Sequence, residues 1–557
     1  MMDQTLRLLT VVTLMLTASP APIRAEAAPA QPTTEAAHPG LPLPADQGKL
    51  FSGSGACAPC HTGMSDETGA DVSIDSAWRS TMMANAARDP YWRATVGTEV
   101  LANPTYQAVI EDKCATCHTP MARSSIAADG GKGKVLGEGG VLDSKHPLQP
   151  LATDGVSCTL CHQIRESGFG QPESFSGGFV IDTSLPAGQR PTFGPFPVDE
   201  NLAGVMQGVS GFIPVHSEHV KRSELCATCH TLYTPSVDSK GQIAGQFPEQ
   251  MAYFEYLNSD HRRTRACQDC HMPAAAGKVP IGSPGGEPRS PFVQHTFVGG
   301  NAYMGQVLKT FGEELAVTAS GEHFDRTLER VSDQLRTRTA EVAVEAAKVS
   351  GSRLMATVVV RTHVGHKFPT GFPSRRAWLH FSVSDASGRV LFESGAVKAE
   401  GSIVGNDNDA DPAAYEPHHL QIDRADQVQI YEAIIGDSDG HVTTTLLRGA
   451  DYLKDNRLLP SGFVKRQAKK DIAVHGQALQ DRDFEGGGDK IRYAVELRDA
   501  RGPLTVSVEL LYQSIAHRWA QNLRRYDTPD VSRFLSYYEK VPNRPIVVAT
   551  ATAQVRK

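Results

Sequence analysis

The chain is short of three things, and each shortage excludes a class of function. Its 557 residues hold 55 Lys and Arg against 62 Asp and Glu, a formal net charge of −7. With no basic surplus there is no electrostatic footprint for nucleic acid. The acidic balance serves solubility as readily as it would steer a basic partner. Past the N-terminal segment, no apolar run reaches the roughly 20 residues that a membrane-spanning helix needs. Cysteine is confined as well: all ten lie between Cys57 and Cys270, and the rest of the chain has none. The hydrophobic share of 40% and charged share of 21% belong to a soluble globular protein.

The N-terminus reads as a secretory signal over residues 1–27. Arg7 opens a weakly basic start that Asp3 partly cancels, Leu8 to Ala18 form a short apolar core, and Ala25-Glu26-Ala27 offers small residues for cleavage. No cysteine stands there, so no lipid anchor is expected. Residues 28–46, rich in Ala and Pro, read as a disordered linker.

The ten cysteines fall into five copies of one pattern: Cys57-Ala-Pro-Cys60-His61, Cys114-Ala-Thr-Cys117-His118, Cys158-Thr-Leu-Cys161-His162, Cys226-Ala-Thr-Cys229-His230 and Cys267-Gln-Asp-Cys270-His271. C-x-x-C-H is the attachment signal for c-type haem. The two thiols bond the haem vinyl groups, and the histidine reaches the iron as proximal ligand. Five disulfides would not require a histidine after every second cysteine. Zinc would use two Cys pairs per ion and strand one of five. The spacing therefore predicts five covalent haems, hence iron and one-electron chemistry. Attachment outside the cytoplasm agrees with export, so a bacterial periplasmic or extracellular location is expected.

The cysteine-bearing region, 47–338, is expected to be mostly helical and irregular, with haem packing replacing much of an ordinary core. Helices are predicted at Ser76 to Arg88, Tyr91 to Ala102, Pro104 to Lys113, Glu249 to Asn258 and Gly321 to Arg338. Residues 339–557 change character. The stretches 354–361, Ala377 to Val383, Val390 to Phe392, Val428 to Ile435, Leu504 to Tyr512 and Pro545 to Val555 are strand-forming, with a short helix at Val531 to Tyr538. The expected fold class is α+β and multidomain: a haem domain followed by a β-sandwich-like domain.

Five irons need distal partners. His295 and His146 sit in loops free to reach one, and of His216 and His219, one helical turn apart before the fourth motif, His219 is the candidate. No histidine occurs between His61 and His118, but Met82 and Met83 do. Met83 is the candidate thioether ligand for the first iron, with simple packing as the alternative reading. His363 and His366 lie in a Gly- and Pro-marked loop able to carry a ligand across the domain boundary, or only to stabilise the loop. Arg262, Arg263, Arg265, Arg375 and Arg376 suit haem propionates or a solvated basic face. Asp407, Asp409 and Asp411 alternate like the start of a calcium loop but lack its Gly and Glu, so a solvated turn is expected. His418-His419 has no supporting ligand spacing.

The motifs, the Met272-Pro273 tail, the His295-Thr-Phe stretch, Gly365-His-Lys-Phe-Pro-Thr-Gly371 and Tyr452-Leu-Lys-Asp-Asn-Arg-Leu-Leu-Pro460 resemble bacterial multihaem c-type cytochromes, a group that includes small tetrahaem electron carriers. The resemblance spans most of residues 50–557 and implies His295 and His366 as distal ligands. Relatives often place a histidine after the first motif, where this chain has Met82-Met83. The reading that follows is an exported pentahaem electron carrier with redox protein partners and no small-molecule substrate. Its alternatives are a nitrogen- or sulfur-oxyanion reductase with one open haem and a subunit of an extracellular conducting filament.

Overall fold

A computed structural model describes residues 38–556. The expected signal at 1–27 and most of the linker lie outside the described residues. The end of that linker departs from the expectation of disorder. His38 O accepts from Gly321 N at 3.0 Å, and Leu41 N donates to Val317 O at 3.1 Å. Gly40 has φ +81°, and a Cβ there would meet Thr318 O at 2.6 Å. Ala and Pro content signals disorder only where nothing nearby offers the backbone a partner, and the 317–321 loop does.

The helix expected at Ser76 to Arg88 is only Ile74–Trp78. After it, long-range partners take the backbone: Val156 N donates to Met83 O at 3.0 Å, and the Asn85 amide donates to Arg79 O and Thr81 O. Met82 and Met83 therefore sit in a turn. The next helix, Pro90–Ala102, is as expected, with Asp89 capping it by accepting from Tyr91 N and Trp92 N. Glu249 ends a strand rather than starting a helix, which runs Ala252–Leu257.

Two small sheets sit among the helices. β1 (Arg190–Gly194) and β2 (Phe212–His216) are parallel around the helix Glu200–Ser210. β3 (Leu232–Val237) and β4 (Ile243–Gln250) form a hairpin.

The C-terminal strands make two larger sheets. β5 (Ala340–Ser350), β6 (Arg353–Thr362), β13 (Gly488–Glu496) and β9 (Gln421–Ile422) form one, in that order. The other runs β11 (Val442–Thr443), β10 (Ile430–Gly436), β7 (Arg376–Ser384), β14 (Leu504–Gln513), β15 (Ile546–Val555), with β12 (Asp451–Asp455) on β10 and β8 (Val390–Ser394) on β7. Alternate residues share one core: Leu354, Ala356, Val358 and Val360 from β6, Leu379, Phe381 and Val383 from β7, Val506, Val508 and Leu510 from β14. These strands fall on stretches read as strand-forming, and their burial follows the period of two that a strand requires. β5, β12 and β13 were not anticipated, because their exposed Glu, Lys and Arg positions dilute the apolar signal.

Residues on both sides of position 338 share a second core. Tyr91 and Ala94 of Pro90–Ala102 and Met304 and Leu308 of Ala302–Thr310 pack with Trp519, Phe534 and Tyr537 near the C-terminus. The C-terminal helices His517–Leu523 and Pro529–Lys540 therefore belong, in packing, with the cysteine-bearing region.

Candidate functional site

Each motif closes a helical turn, which sets its two cysteines on one face with the histidine beside them. The helix Gln107–His118 ends on the second motif and Ser223–His230 on the fourth, while Cys158–Cys161 and Cys267–His271 are themselves the third and fifth. The first motif has less helix of its own and is held by a loop from far along the chain. Ser283 N donates to Cys60 O at 2.7 Å, and a Cβ on Gly282 would lie 2.9 Å from that oxygen, so glycine is needed for the approach.

All ten cysteines and all five motif histidines line one connected cavity of about 1290 Å³. The thiols are free. Thiols of different motifs meet across it: Cys57 lies against Cys158, Cys117 against Cys229, and Cys226 against Cys267. The fourth motif thus touches the second and the fifth, and the first touches the third.

Four of the five motif histidines are oriented alike. The Nδ1–H of His61 donates to Ile281 O at 2.9 Å, of His118 to Ala86 O at 3.0 Å, of His162 to Phe193 O at 2.6 Å, and of His271 to Val298 O. A carbonyl on Nδ1 fixes the tautomer and leaves the Nε2 lone pair for a metal. Burial pushes His118 and His230 down to about 4 and lowers His162 and His271, so these imidazoles are neutral, the form that ligates.

Two of them face a second imidazole. His295 stands opposite His162 with ring centres 6.3 Å apart and planes 22° from parallel. His366 stands opposite His271 at 6.2 Å and 19°. Two imidazoles bound axially to one metal through bonds of about 2 Å each place their ring centres about 6 Å apart. Burial pushes His295 down to about 3, so this imidazole too is neutral.

The helix Glu200–Ser210 points the same way. Its Leu202, Val205, Met206 and Val209 form an i, i+3, i+4, i+7 stripe along the cavity, yet no residue of the helix is buried by protein. An apolar stripe turned onto an interior space is complementary to an apolar group filling it. Residues and space therefore fit covalent haem: thiols for thioethers, free Nε2 atoms for iron, and an apolar wall for porphyrin.

Other expected ligands separate. Met83 lines the cavity, as do Met82, Met206, His261 and His363. His146 and His219 do not stand among its lining residues. Leu148 N donates to His146 Nδ1 at 3.1 Å, tying that ring into its own turn. His219 is buried with Nε2 on Ile164 O at 2.7 Å and Nδ1 on Ser217 Oγ at 2.6 Å, so both nitrogens are engaged. His216 is paired with Glu218 at the surface. His261 went unnoticed in the sequence; its place six residues before Cys267 was the available signal.

Two of the stretches that carried the resemblance, 365–371 and 452–460, meet in one buried ion network. Lys367 Nζ reaches Asp455 Oδ2 at 2.6 Å. Asp455 accepts from Arg457 Nε at 2.9 Å and Nη2 at 2.8 Å. Arg457 Nη1 lies 3.0 Å from Glu255 Oε1 on the helix Ala252–Leu257. Glu255 Oε2 in turn accepts from Lys367 N at 3.1 Å and Thr370 Oγ1 at 2.6 Å. This closed loop fixes the segment bearing His366 over His271.

Of the arginines, Arg265 and Arg375 line the cavity, whereas Arg376 is buried against Asp409 at 2.9 Å. Asp409 is thus an ion-pair partner rather than part of a solvated turn. His418 Nδ1 accepts from the Gln429 and Asn456 amides at 2.9 and 3.0 Å, which puts the ring proton on Nε2, donated to Asp481 at 3.1 Å. With its proton there, His418 braces the sandwich rather than offering Nε2 to a metal.

No family model matches the chain, and no curated protein matches its sequence. Among solved structures it is similar to a penta-heme cytochrome c552 from Thermochromatium tepidum, at 15% identity and a TM-score of 0.47 over 86% of this chain and 95% of that one. Among the described residues no helix is long and apolar enough to cross a membrane.

Proposed function

We propose that the chain is an exported pentahaem c-type cytochrome that relays electrons to and from redox protein partners. The observation that carries this reading is the single cavity onto which five Cys-x-x-Cys-His motifs converge with their thiols and histidines inward. Haem bound there would supply one-electron chemistry at iron.

The chain's own part is holding and insulating. The main-chain carbonyls of Ile281, Ala86, Phe193 and Val298 orient four histidines. His295 and His366 are the distal partners for the third and fifth motifs, and Met83 is retained for the first. The stripe on Glu200–Ser210 keeps water from the cavity. Adjacent thiols across motifs support close spacing of the groups they would anchor, which a relay requires. The order of proximity is not the order in sequence: the fourth motif is the junction.

The reading of an oxidoreductase with an open haem has a definite place to be tested. His61, His118 and His230 share the cavity with His261, His363, Met82, Met83 and Met206 rather than facing a stacked imidazole. Anaerobic reductive titration of the purified holoprotein is expected to take up five electrons per chain, with an all low-spin electron paramagnetic resonance spectrum when oxidised. A high-spin signal of one haem per chain would favour the oxidoreductase. Uptake of two electrons or fewer would contradict the relay.

A further inference from the structure

One pair of buried acids in the cavity has no role in holding a ligand. Glu99, from the helix Pro90–Ala102, and Glu249, at the end of β4, are each 4% exposed and both line the cavity beside Cys114. Glu99 is spent on the main chain, accepting from Leu446 N and Leu447 N. Glu249 accepts only from the Gln250 amide next to it, at 2.9 Å. The charge of Lys113 pulls Glu249 down, but its ammonium donates to Ser176 O at 3.3 Å rather than to the carboxylate. The other titratable groups facing Glu249 are Cys114, a thioether once haem is attached, and Tyr452, whose hydroxyl donates to Pro248 O and Glu249 O.

A carboxylate buried without a hydrogen-bonded cation is costly, and a second negative charge arriving nearby raises that cost as the local dielectric falls. The arriving charge here is an electron at the second motif. We propose that Glu249, with Glu99 beside it, is the proton acceptor coupled to reduction at the second motif, an inference that rests on the haem reading above. As one electron from the redox partner converts ferric to ferrous iron, the Glu249 carboxylate takes one proton from water, and the local charge is unchanged. Burial first, and then for Glu99 the nearness of Glu249, raises both acids to about 7, so the exchange falls in the neutral range.

The test is a spectroelectrochemical titration of the five-haem protein across about pH 6 to pH 8, with haem counted on the same sample. One component is expected to fall in potential by up to about 59 mV per pH unit, the equivalent of a tenfold change in proton concentration for one electron. Glu249→Gln is expected to flatten that component and leave the others unchanged. Glu99→Gln removes a repelling neighbour and is expected to move the sloping range to lower pH; it carries the test if the first variant does not load haem. A wild type without slope, a slope surviving Glu249→Gln, or an unmoved range in Glu99→Gln overturns the inference. A preparation without haem instead overturns the reading beneath it.

Discussion

Replacing His366 by alanine is expected to leave one of the five haems high-spin. His366 belongs to a loop between β6 and β7, almost a hundred residues beyond the fifth motif, yet its ring centre lies 6.2 Å from that of His271. The Nδ1–H of His366 is turned onto Lys367 O at 2.9 Å, so Nε2 is the nitrogen left for a metal. Burial lowers its pKa, which keeps the ring neutral. Without the imidazole, a haem held there would lack this ligand, and electron paramagnetic resonance of the oxidised variant should show about one high-spin haem per chain. His146→Ala is the informative control, since that ring is tied into its own turn and stands apart from the cavity. It should leave every haem low-spin. A fully low-spin spectrum in His366→Ala would end the assignment of this residue.

Asp455→Asn is expected to cost about 3–5 kcal/mol of stability, the usual price of breaking a buried ion pair by removing one partner. Lys367 and Asp455 are respectively 0% and 1% exposed. The substitution leaves Lys367 and Arg457 with Glu255 as their one remaining carboxylate. Replacing both partners, as Lys367→Met with Asp455→Leu, should cost less than either single change, because no lone charge stays buried. Thermal unfolding of the loaded protein measures this, and His366 placement should suffer in parallel. Against the upward push of burial, Arg457 and Lys367 hold the Asp455 carboxyl well below its ordinary range. A group whose pKa is depressed by folding stabilises above its unfolded value, about 3.9, and loses that contribution only as pH falls through the lower folded value. This tie should therefore be indifferent to pH between about 5 and 8 and fail only in strong acid. Equal stability of wild type and Asp455→Asn at neutral pH would remove the network from the account.

What was legible in the sequence was local. Five-residue motifs announce themselves because the chemistry needs two thiols and a histidine on one turn, and nothing distant enters that requirement. His295 and His366 were identifiable as ligand candidates on the same local grounds, by loop position and resemblance. Their pairing was not. His295 follows the fifth motif in sequence but faces the histidine of the third, because the 274–298 loop folds back over the earlier motifs and holds Cys60 on the way. His219 looked suitable by spacing, and only the fold shows Ile164 O and Ser217 occupying its nitrogens. The Ser76 to Arg88 helix failed for a related reason: Val156 N takes the Met83 carbonyl and the Asn85 amide takes the Arg79 carbonyl, both of which a helix would have used. The Lys367 and Asp455 stretches were visible separately, and the ion pair joining them across 88 positions was not.

The most direct test of the central claim is the mass of the intact chain under denaturing, non-reducing conditions, read with a pyridine haemochrome assay and a thiol count. Five covalent haems per chain and no free thiols are predicted. A chain carrying two haems or fewer, with its cysteines as free thiols or disulfides, would contradict it.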